Sequence, residues 1–367
     1  MIRRNSYDGS VQMPDSAEVF DLMSLRVPIV VAPMAGGPST PALVIAAAQA
    51  QAVGFLAAGY KSVNALAGEI DEVVASGVDA YGVNLFVPGG PARDLGAVLR
   101  YRDELEPVAR RYNVDVGPVV EFDDDAYADK LDLLIARRVP LVSFTFGLPG
   151  ESVVDRLHGA GIAAIATVAD PIDAKAAAAQ GVDALCVQGL EAGGHRATLS
   201  ATAEPSQTST IELVREVAGL VDIPIIAAGG IATGAHVDAA LAAGAVAVQL
   251  GTAFLDSAEA GTKPTHRAAL RNSRFTETVV TRAFSGRPAR ALRNEFTDRY
   301  TPLAPAEYPQ LHHLTSPLRS AAALAGDPEF LNLWAGTSFR DSDFGPAAEI
   351  IARIWSQTTA AARGADR

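Results

Sequence analysis

The feature that most constrains the fold is a pattern that recurs along the chain. Residues 75–84 (ASGVDAYGVN) and 179–188 (AQGVDALCVQ) each contain a glycine, then Val-Asp-Ala, then a short apolar run, and 242–251 (AAGAVAVQLG) is a shorter version. The glycine suits the left-handed backbone that often ends a helix. The apolar run after it is too short for a helix and is typical of a strand buried on both faces. The repeat therefore predicts alternating helices and parallel strands.

Eight such apolar runs occur, and helical stretches separate most of them. Thr40-Pro41 and Asp170-Pro171 are typical helix starts, with a capping side chain before a proline in the first turn. Eight strands that alternate with helices favour a (β/α)₈ TIM barrel, and an open doubly wound sheet is the alternative. The predicted strands are Ile29–Ala32, Phe55–Gly59, Ala80–Leu85, Leu141–Phe146, Ala163–Val168, Ala184–Gln188, Ile223–Ala227 and Ala245–Leu250.

Two stretches do not follow the repeat. Residues 87–139 are predicted to form a helical insertion, with helices near Asp94–Tyr112 and Asp125–Arg138. After Leu255 the alternation of strands and helices is lost. We therefore predict a barrel over residues 20–255 that carries the insertion 87–139, followed by a smaller helical cap and C-terminal region over 256–367.

Composition and charge argue against several classes of function. The chain has 30 lysines and arginines against 42 aspartates and glutamates, a net charge of −12, which disfavours nucleic acid and anionic membrane surfaces as partners. Its single cysteine excludes an intrachain disulfide framework and fits a reducing cytoplasm. The uncharged stretch Val27–Tyr60 is broken by prolines and glycines, unlike a membrane span. The acidic cluster Glu121 and Asp123–Asp125 is more typical of a solvated surface and a helix cap than of a metal site, so we expect no metal.

Amides and glycines follow the predicted strands, at the end of the barrel where such enzymes place their chemistry. Asn84 and Gln188 occupy the same place in the repeat, and Gln249 lies near the end of the eighth run. An amide offers a donor and an acceptor and would suit the edge of a flat heterocycle, although it could equally bond a neighbouring loop. Gly229-Gly230 and Gly251-Thr252 follow the seventh and eighth runs, where bare backbone N–H groups commonly bind phosphate. Ordinary turn chemistry is the alternative for these glycines.

One histidine, His195, lies in a loop directly after a predicted barrel strand. Gly193-Gly194 precede it and would allow the backbone to approach a ligand closely. A base at the mouth of a pocket, with a pKa near neutrality, suits proton abstraction, although a single histidine is more often structural. The remaining histidines lie at helix positions or in the irregular C-terminal part, and we predict structural roles for them: His158, His236, His266, His312 and His313.

Seven motifs in order resemble the nitronate monooxygenase family, formerly called 2-nitropropane dioxygenase. They are PIVVAPMAGGPSTP (28–41), FLAAGYKS (55–62), YGVNLF (81–86), VSFTFG (142–147), QGLEAGGHR (188–196), IPIIAAGGI (223–231) and VQLGTAFL (248–255). The resemblance covers about residues 25–290 and implies an FMN-containing (β/α)₈ barrel with His195 as the active-site histidine. It implies FMN-binding roles for Ala32, Pro33, Met34, Asn84, Gln188, Gly193, Gly194, Gly229, Gly230, Gln249, Leu250, Gly251 and Thr252.

The resemblance also implies a reaction, the oxidation of an alkyl nitronate by O₂ to a carbonyl compound and nitrite, with a propionate 3-nitronate-like substrate. The alternative is an FMN-dependent, NAD(P)H-using enoyl-thioester or quinone reductase on the same barrel. The expected partners are a small nitronate and O₂, without nucleic acid or membrane, and a homodimer is compatible with the sequence. Ala197 stands where the family often has glycine after the His-Arg pair, a departure that bears on the substrate more than on the cofactor.

Overall fold

The computed structural model describes residues 20–358, and its main body is a closed barrel of eight parallel strands. The barrel order is β1-β2-β3-β4-β5-β6-β8-β9, and β9 pairs with β1 to close it. The strands are β1 Ile29–Val31, β2 Val53–Ala57, β3 Tyr81–Phe86, β4 Leu141–Thr145, β5 Ala163–Val168, β6 Ala184–Gln188, β7 Gly194–His195, β8 Ile225–Ala228, β9 Ala247–Leu250, β10 Thr278–Thr281 and β11 Ala289–Leu292. The predicted (β/α)₈ barrel is confirmed, and each of the predicted apolar runs overlaps a barrel strand.

Helices surround the barrel and extend over one end of it. They are α1 Pro41–Gln49, α2 Val63–Ala75, α3 Leu95–Tyr112, α4 Tyr127–Ala136, α5 Glu151–His158, α6 Pro171–Ala179, α7 Thr210–Ala218, α8 Gly234–Ala242, α9 Pro264–Arg271, α10 Glu295–Tyr300, α11 Gln310–Leu324 and α12 Ala347–Ser356. The predicted caps are present, because Thr40 accepts a hydrogen bond from Leu43 N–H and Asp170 accepts from two N–H groups of α6.

Side chains on both faces of the barrel strands are buried, as the continuous apolar runs predicted. One set fills the barrel interior, with Val30, Phe55 and Ile165 among its members. The other packs against the surrounding helices. A Cβ on Gly82 of β3 would lie 2.1 Å from the Phe55 ring, so this strand position needs a glycine to admit the ring.

Both helices predicted within residues 87–139 are present, and they pack against different parts of the molecule. α4 packs against β3 and α2. α3 packs against α11, where Tyr101 and Leu105 share an apolar cluster with Leu311 and Leu314. The domain boundaries at 87–139 and 255/256 stay predictions, and residues 359–367 of the C-terminal region lie outside the described residues.

The C-terminal region also contains a small antiparallel sheet that the sequence did not predict. β10 pairs with β11, and β11 pairs with the two-residue strand β7, so that Ala289 lies opposite His195. A strand of two residues has no apolar period to recognise, and only its partner makes it a strand. This pairing fixes the backbone of the loop that carries His195. Among the described helices, none is both long and apolar enough to span a bilayer.

Candidate active site

A cavity of about 250 Å³ lies at the carboxyl ends of the barrel strands. The parallel strands converge there, so residues far apart in sequence share one wall. The structure brings every site residue predicted from the sequence to this wall: Ala32, Pro33, Met34, Asn84, Gln188, Gly193, Gly194, His195, Gly229, Gly230, Gln249, Leu250, Gly251 and Thr252. Their roles in binding and catalysis stay predictions.

Backbone N–H groups after β8 and β9 form one end of the cavity. The N–H groups of Gly230, Ile231 and Thr252, which line the cavity, have no hydrogen-bond acceptor within residues 20–358. Gly229 and Gly230 have φ values of 115° and 68°, which side-chain-bearing residues rarely adopt. Unpaired N–H groups that converge in this way bind anions, so this end of the cavity fits a phosphate group.

Two of the site glycines also allow close packing with other parts of the chain. A Cβ on Gly193 would lie 2.3 Å from the backbone nitrogen of Gly336, and one on Gly230 would lie 2.7 Å from Glu191 Cβ. The close approach predicted at Gly193 is therefore to the C-terminal segment. Around Gly194, which has φ 72°, a Cβ would meet no described atom within 4 Å.

Three amides from β3, β6 and β9 surround the cavity floor, and they differ in how they are used. Asn84 Nδ2 donates to Ser143 and Thr145, while Gln249 Nε2 lies 3.3 Å from Cys186 Sγ. The side-chain oxygens of Asn84 and Gln249 have no donor in the part of the chain that the structure describes, so they are available to a ligand. Gln188 instead holds the His195 loop, because its Nε2 donates to His195 O and its Oε1 accepts from Ala197 N–H.

His195 lies in an apolar and positively charged part of the cavity. Its Nε2 lies 2.8 Å from Ser285 Oγ. Its ring packs against the rings of Phe146, Trp334 and Tyr308, with centroid distances of 5.3–5.9 Å. Burial lowers the pKa of His195 to about 3, and the positive charges of Arg287 and Arg319 act in the same direction. The imidazole is therefore neutral at physiological pH and can act as a hydrogen-bond acceptor or a weak base.

Two cations, Lys263 and Arg319, line the cavity, whereas its described wall contains no aspartate or glutamate. Arg319 has neutral partners: its Nε donates to Thr315 Oγ1, and its Nη2 lies 3.1 Å from His312 O and 3.2 Å from His312 Nδ1. Burial lowers the pKa of Arg319 to about 10, so this side chain remains protonated at neutral pH. The wall is therefore positive although the chain as a whole is acidic.

Sequence reasoning missed part of this wall. His266 and His312, which the sequence placed only in the irregular C-terminal part, both line the cavity. The His312 ring stacks on Tyr60, with centroids 3.8 Å apart and an angle of 7° between the planes. No motif marks α11 as part of a site, because only its packing against the insertion brings it to the barrel mouth. Among the described residues, no three histidine, cysteine, aspartate or glutamate side chains converge as metal ligands.

Known proteins similar to this chain agree on its family. The family model described as nitronate monooxygenase matches residues 19–357. A probable nitronate monooxygenase of Staphylococcus aureus strain JH9 is 37% identical over 340 residues, which cover 92% of this chain and 95% of that protein.

Solved structures extend the agreement to the fold. The crystal structure of nitroalkane oxidase from Streptomyces ansochromogenes is 43% identical with a TM-score of 0.88, covering 93% of this chain and 98% of the other. FabK from Thermotoga maritima is 27% identical with a TM-score of 0.71, covering 94% and 96%. The match along almost the whole chain, together with the barrel and the cavity at its mouth, shows that this chain belongs to the nitronate monooxygenase family of flavin-dependent oxidoreductases.

Proposed function

We propose that this protein uses FMN to oxidise a short alkyl nitronate with O₂, giving a carbonyl compound and nitrite. The observation that carries the proposal is the charge of the cavity wall, where Lys263 and Arg319 occur without a carboxylate. A cation that faces a cavity and has only neutral partners attracts an anion. A nitronate carries a negative charge, and propionate 3-nitronate adds a carboxylate, so two cations suit this substrate.

The cavity also fits the proposed cofactor. The unpaired N–H groups of Gly230, Ile231 and Thr252 would hold one phosphate group, which favours FMN over a dinucleotide. The free side-chain oxygens of Asn84 and Gln249 would accept hydrogen bonds from the edge of the flavin ring. When bound, FMN would accept an electron from the nitronate. His195 and the surrounding aromatic side chains would keep water away from the reacting carbon and orient the nitronate.

Oxygen uptake tests the reaction directly. The purified protein should release FMN on heating, as identified by chromatography, and should consume O₂ and form nitrite with propionate 3-nitronate in the absence of NAD(P)H. Recovery of FAD, or of no flavin after reconstitution with FMN, would contradict the cofactor assignment.

Replacing Arg319 tests the part played by charge. Arg319→Met keeps most of the side-chain volume and removes the cation, so we expect KM for propionate 3-nitronate to rise by about 10- to 10²-fold, the loss of about 1.5–3 kcal/mol typical of a charged hydrogen bond. Arg156→Met, at an exposed ion pair with Asp132, is the matched control and should leave KM unchanged. An unchanged KM in flavin-replete Arg319→Met would contradict the anion-binding role.

The NAD(P)H-using enoyl-thioester or quinone reductase remains the second candidate, and the likeness to FabK lends it support. The two candidates differ in what reduces the flavin. Anaerobic mixing with a nitronate and, separately, with NADH distinguishes them. Rapid bleaching by NADH, together with no O₂ uptake on any short nitronate, would favour the reductase. A cytoplasmic location and a homodimer are further parts of the proposal, tested by cell fractionation and by light scattering.

A further inference from the structure

The acidic cluster of the 87–139 segment contacts the wall of the cavity. It was expected to cap the following helix, but α4 begins after Ala126 with no side-chain cap, so that prediction is wrong. Asp125 Oδ1 instead accepts a hydrogen bond of 3.0 Å from the backbone N–H of Tyr60, and Asp125 Oδ2 lies 2.8 Å from Lys130 Nζ. Asp123 pairs with His313 of α11 at 2.8 Å. The cluster therefore joins the insertion to the segment that contains Tyr60 and to α11, both of which border the cavity.

Lys130 completes this arrangement from inside α4. Its side chain is fully buried, and its Nζ donates to Ala58 O at 3.0 Å as well as pairing with Asp125. Ala58 and Tyr60 belong to the turn that follows β2, and Tyr60 has a left-handed backbone with φ 67°. Lys130 and Asp125 thus hold the turn at two points, one a carbonyl and the other an N–H group. A buried lysine without a carboxylate would be strongly unfavourable, so the two side chains act as a unit.

Contacts continue from this turn to the positive wall. The Tyr60 ring stacks on His312, and its hydroxyl lies 3.1 Å from the Tyr308 hydroxyl. The carbonyl oxygen and Nδ1 of His312 are the acceptors that orient Arg319 Nη2. Tyr60, His312 and Arg319 all line the cavity, whereas Asp125 and Lys130 lie behind them.

We propose that Asp125 and Lys130 are a positioning pair that holds Tyr60, and through it His312 and Arg319, where the substrate anion binds. The inference rests on the proposed function only in taking a nitronate as the substrate. The elements predicted to hold the flavin phosphate follow β8 and β9 and receive no contact from this pair. The pair therefore governs the KM for the nitronate and leaves flavin affinity unchanged.

Lys130→Met tests this inference, because it keeps the side-chain length and removes both the charge and the donor to Ala58 O. We expect KM for propionate 3-nitronate to rise by about 10- to 10²-fold, the effect typical of a displaced binding group, with a smaller change in kcat. The FMN dissociation constant, measured by flavin fluorescence, should stay within about twofold. Leu134→Ala is the control for lost packing: Leu134 is fully buried on the same helix and has no polar side-chain group to bond the turn, so its loss should lower stability without raising KM.

A second measurement does not depend on turnover. Burial holds the pKa of His312 well below its ordinary value, so its ring signal in selectively labelled protein should titrate at a clearly lower pH than that of an exposed histidine. In Lys130→Met the ring should gain water and titrate nearer its ordinary pKa of ~6.5. His312→Gln identifies the signal. Asp125→Asn/Lys130→Met, which removes both charges of the pair, replaces the single variant if that one does not fold.

The outcomes separate this inference from the proposed function. Unchanged KM and an unchanged His312 signal in Lys130→Met would overturn the positioning role, as would an equal rise of KM in Leu134→Ala. If the wild type oxidises no nitronate, the proposed function fails, and the His312 signal in the two Lys130 variants still decides the positioning role.

Discussion

Replacing His195 by asparagine should separate two forms of substrate that differ by one proton. A neutral nitroalkane must lose a proton from carbon before it can be oxidised, whereas a nitronate has already lost it. General base catalysis is typically worth ~10²–10⁴-fold. His195 is a weak base, so His195→Asn should lower kcat/KM for any neutral nitroalkane that the wild type uses by at most about that factor, and should leave nitronate oxidation within about tenfold of the wild type.

The surroundings of His195 determine how strongly His195→Asn affects nitroalkane oxidation and how that effect depends on pH. Its pKa is lowered from 6.5 to about 3, which at ~1.4 kcal/mol per unit disfavours the protonated ring by about 5 kcal/mol. Holding a substrate proton on this ring is costly, so the wild type should oxidise nitronates faster than neutral nitroalkanes. Because the pKa is lowered, the His195 imidazole is fully neutral above about pH 5. Its contribution to the rate should therefore not change between about pH 5 and pH 9.

The rate of oxygen uptake per bound flavin measures the oxidation of each substrate form. The nitroalkane is added as the freshly dissolved neutral acid. Ser285→Ala is the control, because it removes the hydrogen bond at Nε2 and keeps the imidazole. Equal rates for wild type and flavin-replete His195→Asn on both forms would show that His195 is structural. A rise of activity between pH 6 and 7 that disappears in His195→Asn would refute the argument from burial.

Two further predictions concern packing and stability. Gly193→Ala should reduce flavin content and lower the melting temperature, because its Cβ would lie 2.3 Å from Gly336 N. Gly68→Ala is the control, because Gly68 is exposed on α2, a Cβ there would meet no atom within 4 Å, and flavin should be retained; equal flavin content in both variants would contradict this prediction. Burial and then the charge of Asp170 raise the pKa of Asp173 to about 6, so its stabilising contribution is greatest at low pH and is lost as the pH rises from about 4 through 6. Asp173→Asn should therefore raise the melting temperature at pH 7.5 and have little effect at pH 4.5, and the opposite order would refute the assignment.

The barrel and most of its mouth followed from local sequence patterns. A strand buried on both faces must be apolar along its length, and a helix that ends before it favours a glycine, so each unit is recognisable by itself. Once eight parallel units close into a barrel, their carboxyl ends meet at one place. Asn84, Gln188, Gly230 and Gln249 could therefore be assigned to one site without knowledge of any tertiary contact.

Only the tertiary structure determined which residues form the rest of the cavity wall and what protonation state His195 has. β7 is a strand only because β11 pairs with it, and Arg319 reaches the cavity only because α11 packs on α3. The pKa of His195 depends on burial and on cations more than 90 residues away in sequence, which no local pattern reports. Sequence periodicity records which face of an element is apolar, but the choice of partner for a short strand, a surface helix or a buried charge is made by contacts between distant segments.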